Sequence, residues 1–245
     1  MKPALIVVGA DKGGVGKTTT SRLLLDYLAS RNIPARAFDT EFPRGTLKRF
    51  HDDITDIVDL TQTSDQMRII DTLQQAGEKV SVIDVRAGRL GPTLRTLRDI
   101  GFLDAAREGE FTFCVFHVLG PSISSLEEIA TTASFVSDAH YFLVKNHIND
   151  TTFFEWDPET SRSYFDKVKS TGDISIPKLD EHAYEQVELS GVPFSLFVDN
   201  KTRDSDQASL SFVLRGYVRT WMRQVEAEFD RVKLLDILAS KKSKR

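Results

Sequence analysis

The chain has 245 residues, of which 40% are hydrophobic and 28% charged, proportions that exclude large-scale disorder and fit a globular protein. Its 32 Lys and Arg against 36 Asp and Glu leave a formal charge of −4, so any contact with nucleic acid or anionic lipid must use a local basic patch. One cysteine, Cys114, excludes an intrachain disulfide, a CxxC redox pair and a cysteine-rich metal site, and suits a reducing compartment.

In chain order, short apolar runs alternate with helix-patterned stretches. Strands are predicted at residues 4–8, 35–38, 80–83, 112–118, 141–144 and 173–176. Several are apolar throughout rather than alternating, as expected for strands covered on both faces of a parallel sheet. Helices are predicted between them, among them 18–30 and 125–136. The stretch 209–240 reads as one long helix or two in succession, with Phe212, Leu214, Tyr217, Val218, Trp221, Met222, Val225 and Phe229 at helical spacing. Residues 241–245 form a basic tail. The fold class is therefore α/β, a mostly parallel twisted sheet with helices on both faces. No Pro-, Gly- or Ser-rich linker divides the chain, so residues 1–245 are expected to form one domain. The N-terminal apolar run is too short for a signal-peptide core, and no segment approaches the roughly 18 apolar residues of a membrane span. A cytoplasmic protein is expected.

The first strand runs into Gly9-Ala10-Asp11-Lys12-Gly13-Gly14-Val15-Gly16-Lys17-Thr18-Thr19, and a helix follows. Glycines allow consecutive backbone N–H groups to wrap phosphates, and the helix aims its positive end at the same anions. Lys17 is placed to reach the β- and γ-phosphates, and the Thr18 hydroxyl to sit on Mg²⁺. Residues 11–19, from Asp11 to Thr19, are thus read as the loop that binds ATP·Mg²⁺.

The string Lys12-Gly13-Gly14-Val15-Gly16-Lys17-Thr18 resembles the deviant Walker A motif of the ParA/MinD family of ATPases, within the SIMIBI class of P-loop NTPases. The resemblance implies that Lys12 reaches across a dimer interface to the nucleotide of the other subunit. Two strand ends carry acids. Asp39-Thr40-Glu41 resembles the family's first switch, with Asp39 near Mg²⁺ and Glu41 near the attacking water. A phenylalanine, Phe42, stands between Glu41 and Pro43, unlike the family's usual order. Val80-Ser81-Val82-Ile83-Asp84 has the Walker B pattern, in which Asp84 holds a Mg²⁺-bound water. Residues 84–90, with Gly88, Arg86 and Arg89, would form the second switch. Asn146 matches the family's adenine-reading asparagine, since a carboxamide both donates and accepts. No NKxD guanine motif is present, because Asp150 lies too far from Asn146, so ATP is favoured over GTP. Pro177 could pack on the base. The resemblance runs from about residue 4 to residue 194. The stretch 153–164, with Phe153, Phe154 and Trp156, has no counterpart in it and reads more readily as core than as a partner site.

By this resemblance the chain is a switch ATPase that dimerises on binding ATP and is accelerated by an activating partner protein. It would serve DNA segregation, plasmid stability or conjugative transfer. Arg215, Arg219 and Arg223 recur every four residues and share a helix face, a candidate for non-specific DNA contact. Residues 232–238 followed by the basic tail form an amphipathic candidate for anionic membrane, with core packing favoured over it. A MinD-like positioning ATPase and a small-molecule P-loop kinase or ligase remain the alternatives, and Lys12 speaks against the last.

Overall fold

The computed structural model describes residues 2–74, 79–136, 139–148, 151–166 and 168–239. Seven strands form one sheet in the order β3-β2-β4-β1-β5-β6-β7, and every neighbouring pair is parallel. They are β1 (Ala4–Gly9), β2 (Ala35–Asp39), β3 (Thr55–Ile57), β4 (Val80–Asp84), β5 (Thr112–Leu119), β6 (His140–Asn146) and β7 (Gly172–Ile176). Six of the seven lie where the apolar runs predict them, each extended by one to three residues. The seventh, β3, is three residues long and carries no apolar run, so the sequence pattern does not reveal it.

The continuous apolar strands are explained by two separate cores, one on each face. Ala4, Ile6 and Val8 of β1 face one, built with α1 (Lys17–Ser30), α7 (Glu181–Ser190), α8 (Phe194–Val198), α9 (Phe212–Arg231) and α10 (Leu234–Ala239). Leu5 and Val7 face the other, built with α2 (Thr63–Gln74), α3 (Leu90–Asp99), α4 (Phe102–Arg107) and α5 (Ile123–Phe135). Each fully buried Leu, Ile or Val contributes about 1.5–3 kcal/mol, so the strict alternation of β1 fixes which face each helix covers. A short helix, α6 (Pro158–Tyr164), buries none of its residues.

Among the described residues the stretch 209–239 holds two helices in succession, α9 and α10. Lys233, at φ 55°, separates α9 from α10. The apolar positions of α10, Leu234 and Leu238, are fully buried in the core, so its apolar face is taken up inside the protein rather than offered to a bilayer. No helix among the described residues is long and apolar enough to cross a membrane. The basic tail 241–245 and Asp150 lie outside the described residues. In the stretch 153–164 the aromatics divide. Phe153 is fully buried in the second core, Phe154 is half-buried against it, and Trp156 is exposed.

Candidate functional site

All strands point the same way, so the loops after β1, β2, β4, β6 and β7 meet at one end of the sheet. There they surround a cavity of about 660 Å³ lined by Gly13, Gly14, Gly16, Lys17, Thr18 and Thr19. Asp39, Glu41, Asp84, Arg86, Asn146 and Pro177 line the same cavity. The candidate residues of five separated segments are thereby brought together.

The loop after β1 owes its path to glycine. Gly14 and Gly16 have φ of 73° and 94°, where an L side chain is strained. A Cβ on Gly16 would also lie 1.9 Å from the Nδ2 of Asn146. Gly16 precedes α1 as its N-cap and has no side chain to satisfy the first-turn N–H groups. Those groups, with Lys17, form a donor-rich wall suited to an anion. Lys17 is buried, and its Nζ donates to the carbonyl of Lys12 at 2.9 Å. Burial lowers its pKa, against the pull of Asp84 and Glu41.

Asp84, at the end of β4, accepts from Thr18 Oγ1 at 2.7 Å and from Ser21 Oγ at 3.0 Å. It is 5% exposed, and burial, with a contribution from Asp39, pushes its carboxyl up to about 7. Asp39 sits beside it in register on β2 and is 1% exposed. Its Oδ1 accepts from the Glu41 N–H, and its Oδ2 from the N–H groups of Leu47 and Lys48 at 2.6 and 3.3 Å. Asp39 therefore shapes the loop that carries Glu41, and burial raises its pKa. Glu41 is exposed at the cavity and accepts from Thr46 Oγ1. Among the described residues there is no cluster of three or more His, Cys, Asp or Glu that could hold a metal ion.

The loop after β4 joins this set. The Arg86 N–H donates to Thr40 Oγ1 at 2.8 Å, and the Thr40 N–H donates to the Asp84 carbonyl at 3.1 Å. Gly88 (φ 74°) lies against the phosphate-type loop, with the Asp11 carbonyl 3.9 Å from where its Cβ would be. Arg86 and Arg89 are both exposed.

Lys12 is half-buried, and its Nζ donates to Ser122 Oγ at 2.6 Å. Ser122 also caps α5. The Asp11 N–H donates to Glu128 Oε2 at 3.2 Å, and burial together with Glu128 raises the Asp11 pKa. Val15 is buried in the turn, and Thr19 lies in the first turn of α1. Asn146, the last residue of β6, is 6% exposed and donates to the Val15 carbonyl at 3.0 Å, which leaves its Oδ1 and second N–H for a ligand. The Pro177 carbonyl accepts from the indole N–H of Trp221 at 2.6 Å, so α9 backs this wall.

Ser21, Ser122 and Glu128 escape the sequence reading. Ser21 is three residues after Thr18, on the same helix face, and that spacing could have shown it. Ser122 and Glu128 come from a distant strand end and helix, and no local pattern marks them. The three arginines of α9 do not behave as one stripe. Arg215 Nη1 and Arg219 Nη2 donate to the Val198 carbonyl at 3.2 and 3.4 Å, serving the C-terminal end of α8, while Arg223 is exposed.

No family model and no curated protein matches the chain. Solved structures do. A ParA family ATPase from Chlorobium tepidum is 15% identical, with a TM-score of 0.53 over 90% of this chain and 98% of that one. MinD from Aquifex aeolicus is 16% identical, with a TM-score of 0.52 over 99% of this chain and 100% of that one. A plasmid partition protein of Borrelia burgdorferi, described as bound to AMPPNP, is 14% identical, with a TM-score of 0.53 over 96% and 100%. Identities this low establish the fold alone, and by its seven-stranded parallel sheet and helical layers the chain has the fold of the ParA/MinD ATPases.

Proposed function

We propose that the chain is an ATP-dependent, dimerising switch ATPase that acts on DNA segregation, plasmid maintenance or conjugative transfer. One observation carries the reading: Lys17, Thr18, Asp39 and Asp84 converge on one cavity while Lys12 of the same loop stands apart from it, bonded to Ser122. In this reading the first-turn N–H groups and Lys17 bind the phosphates, and Asn146 and Pro177 flank the base. Thr18, Asp84 and Asp39 hold Mg²⁺, which neutralises charge on the phosphates. Glu41 orients water, and Lys12 leaves Ser122 to complete the site of a second subunit.

Hydrolysis would then break the dimer, and an activating partner protein would set its rate. DNA is preferred to membrane as cargo because α10 buries its apolar face. Arg223 is the exposed member of the α9 arginines and the leading DNA contact among them.

The test is light scattering after size exclusion, with ADP and with a slowly hydrolysed ATP analogue, on wild type and Lys12→Ala. A dimer formed only with the analogue and lost in the variant is expected. A mass indifferent to nucleotide and to Lys12 overturns the switch and turns attention to small-molecule phosphoryl transfer. DNA binding is tested in parallel with Arg223→Glu, which should weaken salt-sensitive retention of duplex DNA.

A further inference from the structure

Below the cavity lies a second polar cluster that the proposed chemistry does not use. Arg22 is on α1, four residues and one helical turn after Thr18. It is 1% exposed, and its guanidinium lies 3.4 Å from the ring centroid of Phe50 and 4.1 Å from that of Phe194. Nη1 donates to Glu188 Oε1 at 2.6 Å, while Nε and Nη2 are buried without a partner. A buried ion pair is weak support for stability, since apolar groups of the same size often serve as well. Its value here lies in what it joins.

Glu188 is on α7, one turn beyond Tyr184 and Glu185, which line the cavity. The Glu188 carbonyl accepts from Arg49 Nη2 at 2.6 Å. Arg49 and Phe50 lie in the connection between β2 and β3, which starts after Asp39, carries Glu41 and runs up to Thr55. Midway, the Leu47 and Lys48 N–H groups rest on Asp39. The middle of this loop, residues 47–50, is therefore held by a cavity carboxylate and by the Arg22 cluster together. The cluster touches α1, α7 and the loop together, one turn from the cavity on both helices.

We propose that Arg22, Glu188 and Arg49 are positioning residues that tie the Glu41 loop to α7, so that a nucleotide seated along α7 sets the loop over the cavity. The proposal rests on the ATPase reading for its effect on turnover and on the geometry for the coupling itself.

The test uses the full chain as Arg49→Met, Arg49→Lys and Glu188→Gln, each checked by thermal melting. Arg49 is the cleaner probe because its side chain is 54% exposed. Three quantities are measured: affinity for a fluorescent ADP analogue, steady-state ATP turnover, and hydrogen exchange of residues 44–50 with and without ADP·Mg²⁺. In wild type, ADP·Mg²⁺ should slow exchange in that segment. In Arg49→Met, affinity should stay within about twofold while kcat falls roughly fivefold or more, the pattern of a lost interaction that acts on chemistry rather than on ground-state binding. ADP·Mg²⁺ should no longer slow exchange, and Arg49→Lys, which keeps one donor for the Glu188 carbonyl, should regain part of both effects. Unchanged exchange coupling in Arg49→Met and in folded Glu188→Gln overturns the proposal. So does a parallel loss of affinity and turnover, which marks a merely structural role. Wild-type protein that binds ADP without hydrolysing ATP sinks the ATPase reading alone, and the exchange comparison still decides the coupling.

Discussion

Two buried carboxylates, Asp84 and Asp26, pack on the same helix and differ in what holds them. Asp84 ends β4 and accepts from two hydroxyls of α1, those of Thr18 and Ser21, beside the cavity. Asp26 belongs to α1 itself and caps α8, accepting from the Phe194 N–H at 3.0 Å and from Ser195 Oγ at 2.5 Å. Burial pushes both carboxyls up, Asp84 to about 7 and Asp26 to about 6. The first rests on two hydroxyls at the cavity, which the proposed cation would compete with, and the second on a backbone donor of a helix end. Equal burial thus sits beside an open cavity in one place and inside a helix cap in the other.

The largest effect that can break this comparison is Asp84→Asn. Phosphate-release assays should show turnover lower by on the order of 10²–10³, the scale of removing one electrostatic group from a reacting site, with melting unchanged or raised. Turnover within tenfold of wild type would remove Asp84 from the proposed cation site.

Next is the pH dependence of Asp26. Its folded carboxyl holds a proton more tightly than the unfolded chain, whose ordinary value is 3.8. Below that value both states are protonated and the group has no effect. As pH rises toward 6 the unfolded state ionises first, so stability falls, by about 3 kcal/mol at this site. Asp26→Asn should remove this contribution, about 2 kcal/mol of it between pH 4.5 and 7.5, in urea titrations at those two values, while turnover stays at the wild-type level. A slope identical to wild type would show that the site does not titrate in this window. The smallest effect is Ser195→Ala, which loses one hydrogen bond to Asp26 and should cost about 1 kcal/mol in the same titrations, again with turnover intact.

The phosphate-type loop and the strand-end acids were legible because each is local. Glycine spacing, an apolar strand and a following helix all fall within 20 residues of one another. The strand β3 was not, because Thr55-Asp56-Ile57 has a charged centre. Asp56 earns its place through ion pairs with Arg36 at 2.7 Å and Arg68 at 3.4 Å. Arg22 and Asp26 were hidden for a related reason. Both fall in a helical stretch where charged residues ordinarily face water, and only the fold brings Phe50, Glu188 and Phe194 around them. The α9 arginines show the reverse error. Their regular spacing suggests one solvated face, yet the end of α8 claims two of them.

The bond from Trp221 to the Pro177 carbonyl also gives the molecule an optical reporter. The chain has two tryptophans, Trp156 at 75% exposure and Trp221 at 5%. Phenylalanine at position 156 would leave a single indole, buried and directly behind the wall that the base is proposed to touch. Its emission should be that of an apolar, hydrogen-bonded indole. Any ligand that shifts Pro177 would change its colour or intensity without a label.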